Sequence, residues 1–543
     1  MTTHQEPMSV DELQMRAQGH TSELPRQFSL LSTLALAFAI TNSWVGYSAT
    51  FVIPMFAAGG PGVVYGLVVA TIACCIITVG LAEQASAFPS SGGQYHFTYM
   101  VAPDAWKASL SFFVGWLSIF AWWMTAASAF IFCAQIILYL ASSYHPDFVG
   151  SQWQVYLVYV ALLAMSTALI ILRPRQMPTA EIIFFGMSIV GFVVFFIAVL
   201  AVSSDQPKQS ASNVFAEWNN QTGWGDGVAF LIAVGQCMYT YLAIDAATHI
   251  AEEMPNPATA VPRAMGLTML IGMVTVFAWT MVFLFCATDY DEALATGVPI
   301  IGICRQAFDS RAGAAVFGAW LLMIYLGAAT SCLFTAGRLT WAFARDNGLP
   351  GSRLFAKVNS RLEMPMNATL VSFGFCLFYG LIYIASTTAF NSFISLAVFG
   401  SNVTYVFPQA VALLRGRNVA LPPRKLDLGP IFGSFVNAFS TLWMVLFGII
   451  FCFPNFLPVT IDTMNYLSVV VVGILVFILG CWWFAKRETY SGPEVNFEDM
   501  KEIAALGLDS SLRGAQTLVG QVETAANGAD AAAWNGEEKR PQG

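Results

Sequence analysis

Charge is what this sequence has least of. Only 10% of its 543 residues are Asp, Glu, Lys or Arg, against roughly 25% in ordinary soluble domains. A soluble chain of this length would divide into domains of at most about 250 to 300 residues, each wrapped in charge, so a soluble enzyme is excluded. Basic residues are also in deficit, and the net charge of -8 excludes a nucleic-acid binder, which needs a basic patch against phosphate. No CxxC pair and no Cys/His or carboxylate cluster at metal-ligand spacing occurs. No Ser/His pair stands at catalytic spacing either, so neither a metal, a cofactor nor catalysis is expected. Nine of the ten cysteines lie in apolar runs, where Cys acts as a small hydrophobe, and only Cys304 falls in a predicted loop.

What is present is apolar length. A membrane helix needs about 20 predominantly apolar residues, and twelve such runs occur, at 30–56, 63–87, 110–141, 155–172, 182–202, 228–250, 265–287, 314–343, 368–385, 393–414, 432–453 and 467–484. The fold class that follows is an all-α polytopic membrane protein with a membrane domain over 29–485. The polar segment 1–28 lacks the basic start and cleavage site of a signal peptide and is expected to stay attached as a cytoplasmic tail. The segment 486–543, rich in Ala, Gly and acidic residues, is expected to be mostly disordered, with a short amphipathic helix near 497–506.

The few basic residues are distributed by side. With both termini inside, 21 of the 24 Lys and Arg fall in internal segments and only Lys208, Arg305 and Arg311 outside, as the positive-inside rule requires. A miscounted span would scramble this asymmetry. The loop 203–226 then faces outward and carries the sequon Asn220-Gln221-Thr222, which makes Asn220 a candidate glycosylation site.

Two spans are interrupted. The first contains Thr41-Asn42-Ser43-Trp44-Val45-Gly46, a cluster of poor helix formers within an apolar run. The sixth contains Gly235 and then Tyr239-Thr240-Tyr241-Leu242-Ala243-Ile244-Asp245, followed by Glu252-Glu253, Pro255 and Pro257. Irregular backbone at membrane depth is tolerated only where it is buried in protein or lines a cavity. Paired breaks in two five-helix halves point to a secondary transporter built on an inverted repeat, about 29–202 and 227–415, with two further helices about 431–485. Gly46 or Gly235 alone reads equally well as a close-packing residue between helices.

Three segments resemble the amino acid-polyamine-organocation (APC) permeases. They are Glu83-Gln84-Ala85-Ser86-Ala87-Phe88-Pro89-Ser90-Ser91-Gly92-Gly93-Gln94-Tyr95 after the second run, Ala251-Glu252-Glu253-Met254-Pro255-Asn256-Pro257 after the sixth, and Arg338-Leu339-Thr340-Trp341-Ala342-Phe343-Ala344-Arg345-Asp346-Asn347-Gly348-Leu349-Pro350 after the eighth. The leader Glu23-Leu24-Pro25-Arg26-Gln27-Phe28-Ser29 resembles the fungal amino acid/choline branch, which includes GABA and choline permeases. The resemblance implies a substrate site between the first and sixth breaks. Amides around Asn42, Ser43, Trp44, Val45 and Gly46 would receive a carboxylate, and Tyr239, Thr240 and Tyr241 would wall the pocket. Asp245 would attract an ammonium or hold the unwound backbone.

Ionisable groups inside spans are few and cost about 2.5 to 3.5 kcal/mol each at the bilayer centre. Glu83, Glu252 and Glu253 lie near cytoplasmic helix ends, where ion pairs with Arg338 or Arg263 would form an inner gate. Glu181 follows Pro178 at the start of the fifth run, where capping is the default, and His249 lies one turn after Asp245 on the same face. Some proton-coupled relatives carry a lysine in the fifth helix; none occurs here between Met177 and Val202. Thr330 and Ser331 offer hydroxyls that also bond back to their own helix. Of the aromatics available to cage a quaternary ammonium, Trp44, Tyr239 and Tyr241 gain weight because they sit at the breaks.

The expectation is a plasma-membrane permease, both termini cytoplasmic, importing an amino acid such as GABA, or choline, with a proton as coupling ion. A nutrient sensor on a transporter fold is the second reading, and a channel is disfavoured because paired breaks imply a site closed at one end.

Overall fold

The computed structural model describes residues 23–493, apart from 146, 149 and 462, and without the side chains of 388–394. The expected helix at 497–506 and most of both tails lie outside the described residues. Residues 24–492 form one compact unit. The described residues are helical throughout, with no strand beyond a single bridge between Asn359 and Met364.

Twelve helices are long and apolar enough to cross a membrane. The first six are Leu30–Thr50, Val52–Ala87, Lys107–Tyr144, Gln152–Leu172, Pro174–Val202 and Asp226–Glu253. The second six are Pro257–Cys286, Arg311–Arg345, Met366–Ala385, Ser395–Arg415, Pro430–Ile450 and Leu467–Lys486. The 36 residues of Val52–Ala87 would measure about 54 Å as one helix, well beyond a hydrocarbon core of about 30 Å. They are not one helix: Ala58 (φ -157°) and Gly59 (φ 68°, ψ -151°) turn the chain between the first and second crossings. Only glycine takes that second conformation without strain, and a side chain there would press on the Glu217 carbonyl.

Burial orders the bundle. The apolar stretch of the first span is 89% buried and that of the twelfth only 17%, which puts the first span at the centre and the twelfth at the rim. The first span packs on the fifth, seventh and eighth, and the third on the eighth and tenth. The interrupted segments therefore lie where several helices converge.

Candidate functional site

The first span breaks at Asn42. The helix Leu30–Thr41 stops there because Asn42 takes a left-handed conformation (φ 31°, ψ 59°), and a new helix, Ser43–Thr50, begins at the next residue. Asn enters that region at less cost than most residues, since its short side chain bonds locally. The amides of Val45 and Gly46 donate to the Asn42 carbonyl at 2.9 Å each, so the new helix engages two of the amides expected to meet a carboxylate.

The Asn42 side chain is oriented by a relay. Trp44 Nε1 donates to Ser188 Oγ at 3.0 Å, and Ser188 Oγ donates to Asn42 Oδ1 at 2.8 Å. An indole N–H only donates, so the serine hydroxyl directs its own proton to Asn42. That fixes the amide with Oδ1 on Ser188 and leaves Nδ2 buried without a partner, as is the hydroxyl of neighbouring Thr41. The Trp44 ring itself is fully buried, edge-on to Phe192 and Trp279.

The sixth span breaks over a longer stretch. Its helix runs Asp226–Cys237, tightens into a 3₁₀ turn at Met238–Tyr241, becomes extended at Leu242 (ψ 148°), passes Ala243 at φ 63° and resumes as a 3₁₀ stretch, Ala246–Glu253. A left-handed alanine costs roughly 1–2 kcal/mol, and Asp245, two residues on, anchors the segment against that cost. Its carboxylate accepts from Gln94 Nε2 at 2.8 Å, Trp122 Nε1 at 3.1 Å and Tyr405 Oη at 2.7 Å. It also bonds His249 Nε2 at 3.0 Å, while His249 Nδ1 faces the Ser91 carbonyl at 3.1 Å. Of the two roles open to Asp245 from sequence, the geometry matches the holding of unwound backbone.

Between the breaks lies a cavity of about 40 Å³, where about 10–15 Å³ holds one water and an engineered cavity of about 150 Å³ holds benzene. The first break lends it Thr41, Asn42, Val45 and Gly46, and the sixth Tyr239, Leu242 and Ala243. Thr125, Tyr325, Ala328 and Cys332 close it from the third and eighth spans. The Tyr325 hydroxyl donates to the Val45 carbonyl at 2.8 Å. No carboxylate or basic side chain lines it.

Five expected site residues lie off this wall. Ser43 packs against Gly272, Trp44 belongs to the relay, and Tyr241 shares a 2.9 Å bond with Thr71 Oγ1. Thr240 and Asp245 are buried elsewhere. The reason is rotational: a left-handed residue or a 3₁₀ turn resets which side chains face inward, so α-helical spacing does not carry across a break.

A second constellation forms at the arginine-rich end of the bundle, where the three family-like segments meet. Arg338 Nε donates to Glu253 Oε1 at 2.9 Å, and Gln27 Nε2 donates to Glu253 Oε2 at 2.8 Å. Arg345 grips Glu252 with two bonds of 2.7 and 2.9 Å, and the Ser91 amide adds a third at 3.1 Å. Tyr95 Oη donates to Asp346 Oδ2 at 2.9 Å; burial, reinforced by the Asp346 charge, holds that phenol well above its ordinary range, so it stays a donor. Gly93 at φ 58° sits so close to His249 that a Cβ there would lie 2.9 Å from the ring.

Glu83 belongs to a different cluster from the one expected. Both Arg417 and Arg424 bind it, Arg417 at 2.8 Å to each oxygen, and the Leu428 amide adds 3.0 Å, which ties the second span to the connection before the eleventh. Arg263 is exposed. Glu181 does not cap: it is fully buried and faces Ser331 Oγ at 2.7 Å. The Asn220 amide donates to the Trp224 carbonyl at 2.7 Å and to Asp226 at 3.0 Å, so the folded loop already uses the nitrogen a glycan would take.

Sequence reading passed over Gln94, Ser188, Arg345 and Tyr405. Arg345 and Gln94 lay inside quoted motifs, and pairing them with the nearby acidic residues would have found them. Ser188 and Tyr405 sit in unremarkable apolar spans and carry no signal.

Comparison with known proteins agrees with this architecture. The family model for amino acid permeases matches residues 29–477. The chain is 32% identical to the choline transporter of Saccharomyces cerevisiae, across 88% of this chain and 85% of that protein. It is 28% identical to the amino-acid permease BAT1 of Arabidopsis thaliana, across 90% of this chain and 97% of that one. A putative amino acid/polyamine transporter of Macrophomina phaseolina is 29% identical, across 80% and 96%. With twelve spans, breaks in the first and sixth, and a match over most of its length, the chain belongs to the amino acid permease family of membrane transporters.

Proposed function

We propose that this transporter imports a choline-like cation across the plasma membrane by alternating access, driven by protons, with both termini cytoplasmic. The observation that carries the substrate class is the neutrality of the cavity. Asp245, the carboxylate of the sixth break, is engaged by Gln94, Trp122, Tyr405 and His249 and lies off the cavity wall, so a primary ammonium finds no counter-ion on that wall. The wall instead offers the rings of Tyr239 and Tyr325, and an aromatic face attracts a quaternary ammonium by roughly 0.5–2 kcal/mol. The free Asn42 Nδ2 is the donor for a substrate hydroxyl. The similarity to a yeast choline transporter points the same way.

An amino acid is the second reading, favoured by the plant relative and by the Ser43 and Trp44 amides at the start of the new helix, whose N-terminus suits a carboxylate. The cavity is too small for either substrate as it stands, so loading requires the two breaks to part. Release then requires the Glu252–Arg345 and Glu253–Arg338 pairs to separate, and the basic bias of that end supports a cytoplasmic placement. The two five-helix halves, 29–202 and 227–415, supply the elements that rock against each other.

Uptake of labelled choline, GABA and a panel of amino acids into cells expressing the full chain, with and without an uncoupler, tests this. Choline accumulation abolished by the uncoupler is expected. No accumulation of any of them overturns the import reading, and accumulation of amino acids alone moves the assignment to the second reading.

A further inference from the structure

The coupling proton needs a carrier, and the latch carboxylates do not suit: Glu252 and Glu253 are each held by an arginine, and Glu83 by two. Asp245 accepts from Gln94, Trp122 and Tyr405 and meets His249 Nε2 at 3.0 Å. One carboxyl differs from all of these. Glu181, in the fifth span, is fully buried, bonds only Ser331 Oγ at 2.7 Å through Oε2, and leaves Oε1 buried with no partner. Among the described residues no Lys, Arg or His pairs with it.

The setting makes its protonation state follow from its surroundings. An unpaired carboxylate this deep in a bundle takes up a proton in preference to staying charged. The Ser331 hydroxyl is also 2.9 Å from the Gly327 carbonyl and has one proton for two acceptors, so a carboxyl that itself donates to Ser331 satisfies both contacts. The titratable neighbour on the eighth span is the Cys332 thiol, next to Ser331, and both Glu181 and Asp245 act on that thiol. Cys332 and Ala328 line the central cavity, so Glu181 stands one helix face behind the substrate wall, where the fifth, first and eighth spans meet.

We propose that Glu181 is the proton-binding site of transport. It holds the proton while the bundle is closed, as here, and yields it when the eighth span moves and water reaches the carboxylate. One proton binds and one leaves per cycle, at this side chain. The inference rests on the proton-coupled reading above, and it names the residue that couples.

The test uses the full chain in proteoliposomes with labelled choline and, in parallel, GABA. Wild type under an inward proton gradient is expected to concentrate its substrate. Glu181→Gln is expected to lose concentrative uptake at least tenfold, to retain counterflow exchange of the same substrate, and to show a flat pH dependence. Glu181→Asp is expected to restore concentrative uptake in part, and Ser331→Ala to move the pH midpoint without abolishing exchange. If Glu181→Gln still concentrates substrate with the wild-type pH profile, the proposal falls while proton coupling stands. If wild type itself shows no proton dependence, both fall. Should Glu181→Gln not fold, infrared difference spectra of wild type and Glu181→Asp report directly: a protonated-carboxyl band that follows the Asp substitution supports the assignment, and an unshifted band overturns it.

Discussion

The central cavity and the arginine-rich end of the bundle are built from opposite materials. The cavity wall carries neutral dipoles, some of them unused: Asn42 Nδ2 and Thr41 Oγ1 are buried without partners. The far end carries full charges, paired by short and mostly forked contacts around Glu252, Glu253, Arg338 and Arg345. Neutral dipoles with free valence bind a small ligand and release it at little cost, since no ion is stranded when the ligand leaves. Buried ion pairs hold firmly while geometry is intact, and removing one partner costs about 3–5 kcal/mol because the other charge is left behind. On the proposed transport reading, recognition and locking would fall to separate chemistries.

Substitutions break or sharpen that contrast in a definite order. Asp245→Ala is the most severe, because it strands His249, Gln94, Trp122 and Tyr405 together; a loss of about 3–5 kcal/mol is expected, read as a collapse of monodisperse protein on gel filtration. Well-folded protein that has lost transport would show instead that Asp245 faces substrate. Next, Arg345→Ala removes the guanidinium that grips the buried Glu252 and should unlock the arginine-rich end, raising labelling of an introduced cysteine below the cavity. The exchange Glu252→Arg with Arg345→Glu should recover part of it, and a coupling energy under about 0.5 kcal/mol in that cycle would remove the lock from the argument.

On the cavity side the effects are smaller. Asn42→Ala removes the donor without adding a charge and should weaken choline uptake about tenfold to a hundredfold in KM, about 1.4–2.8 kcal/mol. Ser188→Ala frees the Asn42 amide to rotate and should cost about 0.5–1.5 kcal/mol, tenfold or less, with no change in thermal stability beyond a similar amount. Trp44→Phe removes the indole donor and part of the ring packed on Phe192 and Trp279 and, since the ring lies off the cavity wall, should have the smallest effect on KM, equal for choline and amino acid uptake. A loss confined to choline would return Trp44 to the pocket as a cation cage.

The spans were legible because bilayer thickness fixes their length and the scarce arginines mark one side. The first break was legible too, since Thr41-Asn42-Ser43 are poor helix formers in apolar surroundings, whereas Gly235 lies inside the helix Asp226–Cys237 and the sixth break falls beyond it, at Leu242 and Ala243. What faced the cavity was not. Trp44 turned outward from it because Asn42 adopts a left-handed conformation, and a single such residue rotates everything after it. Asp245 read as a pocket residue because its partners, Gln94, Trp122 and Tyr405, come from three other parts of the chain, and one sequence carries no record of that convergence. Glu83 found Arg417 and Arg424, more than 330 residues away, for the same reason.

The stretch Ala246–Glu253 begins beside the cavity and ends in the lock. Eight residues of 3₁₀ geometry are unusually long for that helix type and rise about 2 Å each, about 16 Å in all. The extended Leu242 and left-handed Ala243 above it form a pivot, and the Ser91–Gln94 turn grips both ends, through Gln94 on Asp245 and Ser91 on Glu252. Such a piece behaves as a short crank. On the proposed transport reading, a tilt at the pivot large enough to admit a substrate would swing Glu252 and Glu253 through a proportionate arc, and loading and unlocking would be geared by the stiffness of eight residues.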